Sequence, residues 1–508
     1  MISFDIKSLK AQWKRASFRT ITLAFFNLCA LSTTYFTFLI FPHYSTDTYK
    51  NFVNPVSNVE INVQHGRYIS AAIYKLFDLF NFDYSQHAHL GSFLLLLVLS
   101  ICIAILAQRF WSLSESQTTI RLFTVDIVLL SLGLNLSIME ILLFPDTVFS
   151  GTVCYLFLYL SVLFWCKPNR RWHDHLISFI FLCLNLDMYQ VCIGFYVIVC
   201  LAYTFLYGKF QDGKKIMLHT MLNLAIGLAA SIQSLLLMKL PELLGQASTT
   251  YVAPLSLSSV LNNAKQIFAS QFSLWFGFSG FLPRFAPALL FFAAILILLL
   301  QLLKRCIPLM VMLLCFLALC GSWFMAYAPY FIADTVWMPP RTLISMFALI
   351  ALPGIWSSVF GSRHHALSSA AVYSFLMVVM SIGIQRISVN NIASNKIDQE
   401  IAGIIIHKIE AYESTSGQTI DTIAVHSDPQ LRYGYDSIAY TILDTNLRSY
   451  CTSWSDVSTL EYFSDRDFSR IEMSEEEYTK RFGDKNWDYF DSAEQIQFDG
   501  STMYWAIY

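Results

Sequence analysis

The run LGSFLLLLVLSICIAILA, from Leu90 to Ala107, contains no charged residue and is long enough to cross a lipid bilayer as one helix. A helix needs about 20 mainly apolar residues to span a hydrocarbon core of about 30 Å. Similar runs recur along the chain, and we expect about eleven spans in all. They are predicted near 21–41, 90–107, 122–138, 150–166, 176–186, 189–207, 216–238, 288–303, 309–332, 342–360 and 366–384.

Composition supports the same fold class. The chain is 56% hydrophobic and 13% charged, whereas a soluble domain carries about 25% charged residues. The sequence therefore predicts an all-α polytopic membrane protein over 1–384, followed by a small α/β domain over 385–508. The net charge of −2 gives no reason to expect a nucleic-acid partner.

The region 176–207 is open to two interpretations. It is either two short helices or one long helix with a break. Four polar residues interrupt its middle, namely Asn185, Asp187, Tyr189 and Gln190. Because such side chains are costly in lipid, they favour a tight turn or a water-lined break.

The basic residues indicate the orientation. If the N-terminus lies in the cytoplasm and the chain crosses the membrane about eleven times, all the basic segments fall on the cytoplasmic side, as the positive-inside rule requires. These segments are 1–20, 108–121, 167–175, 208–215, 304–307 and 361–365. The large loops 42–89 and 239–287 and the C-terminal domain 385–508 are then expected on the side of the membrane opposite the cytoplasm.

The C-terminal domain has short elements of its own. Helical periodicity runs from Ile397 to Ala411, with Ile397, Ile401, Ile404 and Ile405 on one face. A strand is predicted over 419–425. A hairpin is predicted over 495–498 and 502–508, around Asp499-Gly500.

Candidate chemistry concentrates in the first outer loop. Asp47 follows the first span closely, and Glu60 and Arg67 come after it. The stretch from Tyr68 to Phe80 has the apolar face of a helix that lies in the membrane interface. A carboxylate and an arginine beside such a helix can address a lipid headgroup, although an aspartate after a helix is more often a solvated residue. Three polar residues near the outer end of the third span, Asn135, Glu140 and Asp146, either line a cavity or pack between helices.

Several short motifs together resemble a known family. They are Thr46-Asp47-x-Tyr49, Gly66-Arg67-Tyr68, Asn185-Leu186-Asp187-Met188-Tyr189-Gln190, Met338-Pro339-Pro340-Arg341 and the closing strand from Met503 to Tyr508. They are similar to motifs of the bacterial and phage O-antigen-modifying, serotype-converting glucosyltransferases. One departure is that a paired carboxylate is expected in the first loop, whereas here Asp47 is followed by Thr48.

The resemblance implies a membrane glycosyltransferase of the C-type fold. Such an enzyme takes a sugar, here glucose, from a polyprenyl-phosphate donor and inverts its anomeric centre in one displacement. The acceptor is a lipid-linked O-antigen saccharide at the outer face of the inner membrane. Membrane lipids surround the enzyme, and a donor synthase and a flippase act before it. The resemblance implies no cofactor, and the sequence predicts none, because neither a metal-ligand spacing nor a nucleotide-phosphate loop is present.

The resemblance and the residue chemistry together assign roles. Asp47 is the expected base, with Glu60 as the second choice, because a carboxylate must accept the proton of the acceptor hydroxyl. Arg67 and Arg341 are expected at the donor phosphate, since a guanidinium fork suits phosphate oxygens; snorkelling towards headgroups is the alternative. The expected cavity and substrate-binding residues are Asp187, Tyr189, Gln190, Trp337, Lys239 and Arg284.

Two other functions fit a protein with many spans. A lipid-linked saccharide transporter or flippase would place charged residues deep in the bilayer, whereas most polar groups here lie towards the outer end. An O-antigen polymerase would also have arginine-bearing outer loops, but a large soluble C-terminal domain is not expected of it. Donor dependence separates these functions, because a polymerase uses one oligosaccharide lipid as both donor and acceptor.

Overall fold

The computed structural model describes residues 6–54, 56–84, 86–245, 256–276, 283, 285–305, 307–426, 449–483, 485, 487 and 489–507. Over these residues the chain is mainly helical. The helices of the first half are α1 (Ile6–Thr34), α2 (Phe36–Ile40), α3 (Thr46–Val53), α4 (Val56–Gln64), α5 (Tyr68–Leu79), α6 (Ala88–Trp111), α7 (Thr119–Leu130), α8 (Leu136–Leu142), α9 (Val148–Trp165), α10 (Trp172–Leu186), α11 (Ile193–Tyr207) and α12 (Gly213–Leu243). Those of the second half are α13 (Leu257–Trp275), α14 (Ala286–Lys304), α15 (Leu309–Ala326), α16 (Ala328–Phe331), α17 (Ile344–Phe360), α18 (Arg363–Ser416), α19 (Asp456–Ser464) and α20 (Glu475–Phe482).

Among the described residues, seven helices are long and apolar enough to cross a membrane. They are Ala88–Trp111, Val148–Trp165, Gln190–Tyr207, Gly213–Leu243, Ala286–Lys304, Leu309–Ala326 and Arg363–Ser416. Each coincides with a predicted span, and the span predicted over 342–360 corresponds to the shorter apolar helix α17. The helices in the spans predicted at 21–41, 122–138 and 176–186 are too short or not apolar enough to be counted among these seven. The prediction of a membrane protein is thus confirmed, whereas the predicted count of about eleven spans is not.

The outer faces of several helices suit a lipid environment. In the most apolar part of α12 only 28% of the residues are buried, and Leu218, Leu228 and Leu236 are largely exposed. The most apolar parts of α14 and α15 are also mostly exposed, with 33% and 22% of their residues buried. Exposed apolar surface of this extent marks an interaction site on a protein. On helices of this length the matching partner is lipid.

The span predicted over 122–138 is interrupted, because α7 ends at Leu130 and α8 begins only at Leu136. Asn135 organises this break: its Oδ1 accepts hydrogen bonds from the backbone N–H groups of Ser137 and Ile138. The same break receives the phenol of Tyr35, which lies 3.0 Å and 2.9 Å from the carbonyl oxygens of Gly133 and Asn135. Tyr35 itself separates α1 from α2, so the span predicted over 21–41 is also broken. Backbone groups freed by a break within a membrane helix need such partners.

The region 176–207 forms two helices. α10 ends at Leu186, and a 3-10 turn over Gln190–Cys192 leads into α11. The carbonyl of Asn185 accepts hydrogen bonds from the N–H groups of Met188 and Tyr189, which closes the turn. The polar residues between the helices therefore mark a tight turn, as one of the two interpretations predicted.

The chain divides into two compact units. The first comprises Met1–Leu39, Val59–Leu142 and Thr147–Gln385. The second comprises Ile40–Asn58, Leu143–Asp146 and Arg386–Tyr508, so it combines part of the first predicted outer loop with the C-terminal residues.

The second unit contains a four-stranded sheet. Its strands are β1 (Thr422–His426), β2 (Ser469–Glu472), β3 (Ile496–Asp499) and β4 (Thr502–Ala506). The order is β2-β1-β4-β3, with β1 parallel to β2 and β4, and β3 antiparallel to β4. The predicted hairpin is confirmed, and Gly500 at its turn has a φ of +61°, a conformation that favours glycine.

The predicted C-terminal helix is the last part of α18. Its buried face runs through Ile401, Ile405 and Ile409, which pack with residues of β1 and β4. Ile404 was expected on this face but is 45% exposed, because the buried stripe follows i, i+4 spacing and Ile404 lies one residue aside. The helices α19 and α20 and the strand β2 were not predicted from the sequence, although Ser474 and Glu477 form a helix-start pattern for α20.

Candidate active site

Arg67 follows a turn that requires glycine. Gly66 has a φ of +68°, and a Cβ at this position would lie 2.5 Å from the Cα of Met238 on α12. The hydroxyl of Tyr68, two residues after this glycine, lies 3.4 Å from the carbonyl oxygen of Leu237. The turn before α5 is thus fitted closely against the end of α12. This close packing fixes the point at which the Arg67 side chain leaves the backbone.

Arg341 lies in a 3-10 turn over Pro340–Thr342 and is held by Glu140 of α8. The carboxylate of Glu140 accepts from the Arg341 backbone N–H at 2.6 Å and from Nη1 at 3.0 Å. Ser137, one turn earlier on α8, donates its hydroxyl to the Arg341 carbonyl oxygen at 3.2 Å. The side chain of Glu140 is completely buried, whereas that of Arg341 is 18% exposed. Glu140 therefore fixes both the backbone and the guanidinium of Arg341.

Tyr189 connects the two arginines. The guanidinium of Arg67 lies 5.6 Å from the centre of the Tyr189 ring. The buried phenol of Tyr189 lies within electrostatic range of both Arg341 and Arg67. Both cations therefore act on the same phenol. We call Arg67, Glu140, Tyr189 and Arg341 the arginine cluster; all four lie in the first unit.

Polar atoms at this cluster are left without protein partners. Within the described part of the chain, Nε of Arg67, the hydroxyl of Tyr189 and Nε2 of Gln190 are buried and have no hydrogen-bond partner. Buried polar groups are nearly always hydrogen-bonded in folded proteins. Unpaired donors next to two cations are what a site for an anionic ligand requires.

Asp187 faces α12 rather than an arginine. Its two carboxylate oxygens lie 3.0 Å and 3.3 Å from Nε2 of Gln233, and Ser234 donates to the carbonyl oxygen of Leu186 at 3.3 Å. Asp187 is 7% exposed. These bonds hold the turn after α10 against α12 and so position Tyr189.

The other candidate residues lie in different surroundings. Trp337 is 41% exposed and has the Arg341 guanidinium 4.9 Å from its ring centre. Lys239 on α12 and Glu60 on α4 are exposed. Arg284 lies outside the described residues.

Asp47 is in the first turn of α3, in the second unit. Ser45 and Thr48 form the capping box of this helix, in which the Ser45 N–H donates to Thr48 Oγ1 at 3.0 Å. Trp454, which precedes α19, donates its indole N–H to Oδ1 of Asp47 at 2.9 Å. The carboxylate is therefore fixed at a helix N-terminus, where negative charge is favourable.

A second carboxylate lies close to Asp47. Asp146 is buried in the same unit and accepts hydrogen bonds from Thr48 Oγ1 at 3.0 Å and from Asn51 Nδ2 at 2.7 Å. Burial raises the pKa of Asp146 to about 6; the Asn51 bond opposes this shift and the charge of Asp47 adds to it. We call Asp47 and Asp146 the carboxylate pair. A second carboxylate was expected next to Asp47 in the sequence, but that position is occupied by Thr48. The hydroxyl of Thr48 instead donates a hydrogen bond to the carboxylate of Asp146, which is far away in the chain.

Two contacts of these sites were not assigned from the sequence. Glu140 and Asp146 were recognised as polar residues near a span, but their partners Arg341 and Thr48 are far away in the chain. A charged residue in an otherwise apolar stretch was the available signal. Within the described residues, no group of three or more His, Cys, Asp or Glu side chains could hold a metal ion.

Comparison with known families gives one match. A family model described as "Glucosyl transferase GtrII" matches residues 36–358. The matched region includes Asp47, Arg67, Tyr189 and Arg341, together with Glu140 and Asp146. A search of curated proteins found no match to the chain.

Proposed function

The chain belongs to the GtrII glucosyl transferase family, which acts in O-antigen glucosylation, and from this premise we propose a specific reaction. The enzyme moves glucose from a polyprenyl-phosphate donor to a lipid-linked O-antigen saccharide. The transfer takes place at the outer face of the bacterial inner membrane and inverts the anomeric centre. The segment 1–384, with about eleven expected spans, forms a transmembrane domain of the C-type glycosyltransferase fold. The segment 385–508 is a periplasmic domain.

The arginine cluster carries this proposal. Arg67 makes no ion pair with any described residue, and its buried Nε lacks a hydrogen-bond partner among them. A phosphodiester of the donor supplies the oxygen acceptors that such a guanidinium needs. Arg341 is held in place by Glu140, so it presents a fixed cation with its charge partly balanced. A donor with one negative charge suits this arrangement better than a nucleotide with several.

The reaction requires one proton acceptor and one stabilised leaving group. The oxygen of the acceptor hydroxyl attacks the anomeric carbon and forms the new glycosidic bond. The bond from that carbon to the phosphate oxygen breaks, and its electron pair leaves with the polyprenyl phosphate. The hydroxyl proton passes to the carboxylate of Asp47. Arg67 and Arg341 stabilise the charge that develops on the leaving phosphate.

The donor assay tests the reaction directly. Purified full-length protein in lipid nanodiscs is incubated with the lipid-linked saccharide and one labelled donor, in the presence of EDTA. We expect label transfer from polyprenyl-phosphate glucose and none from UDP-glucose. Transfer from UDP-glucose alone would refute the proposed donor. Chain extension with the lipid-linked saccharide as sole substrate would instead identify a polymerase, and movement of that lipid between leaflets without transfer would identify a flippase.

A further inference from the structure

An exposed tryptophan lies beside the proposed base. Trp454 belongs to the second unit, and 44% of its surface is exposed. Its indole N–H is directed to Oδ1 of Asp47 at 2.9 Å. One edge of the indole is therefore fixed by the carboxylate, while a large apolar surface stays open to solvent. Tryptophan in such a position is typical of recognition surfaces, where it is among the residues that contribute most to binding.

The turn that carries Trp454 is held by buried hydroxyl groups. Ser449 donates to Oδ2 of Asp398 at 2.8 Å, and Tyr450 donates its hydroxyl to the Asp398 carbonyl oxygen at 2.7 Å. Thr452 and Ser455 are hydrogen-bonded to each other through their side chains, and both are buried. Asp398 lies on α18, so the turn is anchored to a long helix. Hydrogen bonds within this turn thus keep an exposed indole in one place.

The helix after this turn is also fixed to the helix that carries Asp47. Tyr462 of α19 lies 5.5 Å from Tyr49 of α3 between ring centres, and Phe463 lies 5.7 Å from the same ring. The hydroxyls of Tyr44 and Tyr462 are 3.2 Å apart. Packed aromatic rings of this kind stabilise a contact beyond the area that they bury. The base and the indole therefore stand on two elements that are packed as one body.

The chemistry of this place suits a neutral saccharide. The C–H face of a pyranose stacks on an exposed indole, and its hydroxyl groups donate hydrogen bonds to a carboxylate. Asp47 and the nearby Asp146 make the place acidic, which disfavours a phosphate group or an anionic headgroup. We propose that Trp454 forms the binding subsite for the acceptor saccharide and holds a sugar against Asp47. This inference deepens the proposed function and rests on it for the identity of the acceptor.

The substitutions Trp454→Ala and Trp454→Phe separate stacking from hydrogen bonding. The alanine variant loses the ring, and we expect the KM for the acceptor to rise about tenfold with an unchanged KM for the donor. The phenylalanine variant keeps an aromatic face but loses the N–H bond to Asp47. It should therefore retain most of the acceptor affinity and show a lower kcat. Tyr489→Ala is the matched control, because Tyr489 is an exposed aromatic residue of the same unit, at 67%, and should change neither constant.

A binding measurement keeps this test independent of the reaction. Saturation-transfer NMR is recorded on full-length protein in nanodiscs, with O-antigen oligosaccharides released by mild acid from lipopolysaccharide that lacks the glucosyl branch. Weaker binding to Trp454→Ala than to wild type supports the subsite, even if the wild type transfers no glucose, which would refute the proposed reaction alone. Unchanged binding and unchanged acceptor KM in a folded Trp454→Ala would overturn the inference.

Discussion

The arginine cluster and the carboxylate pair are built in different ways. The residues of the cluster come from segments far apart in the chain. Arg67, Tyr189 and Arg341 stand at turns between regular helices, whereas Glu140 lies within α8. The carboxylate pair is organised around the single short helix α3, through the side chains of Thr48 and Asn51. The turn at Gly66 thus places Arg67 and a buried ion pair with Glu140 places Arg341, whereas hydrogen bonds to neutral side chains hold the carboxylates. The two regions should respond differently to the same kind of substitution.

The largest expected effect is that of Asp47→Asn on turnover. An amide cannot accept the hydroxyl proton, and general-base catalysis contributes about 10²- to 10⁴-fold to a rate. We expect a loss of kcat in this range, measured as label transfer from polyprenyl-phosphate glucose. The thermal unfolding temperature should stay close to that of the wild type, because the amide oxygen still accepts the N–H of Trp454.

Two further variants locate the base. Asp78→Asn changes an exposed aspartate of α5 and should leave transfer unchanged. Glu60→Gln tests the second candidate, which is also exposed. If Asp47→Asn remains active and Glu60→Gln does not, Glu60 is the base and the assignment of Asp47 is wrong.

In the arginine cluster, the same change from a carboxylate to an amide should lower the stability of the folded protein. In Glu140→Gln, one of the two oxygens that face Arg341 becomes an NH₂ group and meets an N–H donor. Removing one partner of a buried ion pair costs about 3 to 5 kcal/mol. We expect a markedly lower unfolding temperature in nanodiscs and a raised KM for the donor. An unfolding temperature equal to that of Asp47→Asn would remove the distinction between the two regions.

A glycine substitution tests the role of backbone geometry in the cluster. Gly66→Ala introduces a Cβ that would lie 2.5 Å from the Met238 Cα at a φ of +68°, and such backbone strain costs about 1 to 3 kcal/mol. The turn must shift and carry Arg67 with it, so we expect a raised donor KM.

Gly403→Ala is the matched control for this glycine. Gly403 lies inside α18, and a Cβ there would meet no atom within 4 Å. Replacing a glycine inside a helix with alanine is stabilising by about 0.5 to 1 kcal/mol. Equal effects of the two substitutions on donor KM would show that the Gly66 turn does not position Arg67.

The cores of the helices were predictable, while several breaks were not. The length and the apolar character of runs such as 90–107 can be read directly from the sequence, so each of the seven candidate spans matched a predicted one. The break after Leu186 was also visible, because four polar residues stand in an apolar stretch. The break after Leu130 depends on the side chain of Asn135 and on the distant Tyr35. Tertiary contacts of this kind leave little local signal.

The candidate site was predictable to a similar extent. The resemblance selected Arg67, Tyr189 and Arg341, and the structure brings these residues together around one phenol. Neither the ion pair of Arg341 with Glu140 nor the proximity of Asp146 to Asp47 could be read from spacing. Each joins residues that are far apart in sequence, and a single chain gives no measure of such contacts.

The smallest expected effect is a pH dependence that arises from Asp146. Its pKa is raised to about 6 in the folded protein, above the value of about 3.9 in an unfolded chain. Its contribution to the free energy of unfolding is therefore full below pH ~4 and is lost as the pH rises through ~6. Above that pH the Asp146 carboxylate is charged, and its negative charge stabilises the proton that passes from the acceptor hydroxyl to the carboxylate pair. We therefore expect transfer by the wild type to rise a few-fold between pH 5 and pH 7.

Asp146→Asn tests whether Asp146 causes this change of the transfer rate with pH, because the amide has no proton to lose in that range. In a folded Asp146→Asn the change in rate near pH 6 should disappear, while the substitution Asp47→Asn should still abolish most of the remaining transfer. The donor KM should be the same in Asp146→Asn and in the wild type, since Asp146 is not among the residues assigned to the donor phosphate. A pH profile in the variant identical to that of the wild type would mean that another group causes the inflection. The carboxylate pair would then be an arrangement that positions α3 without tuning its base.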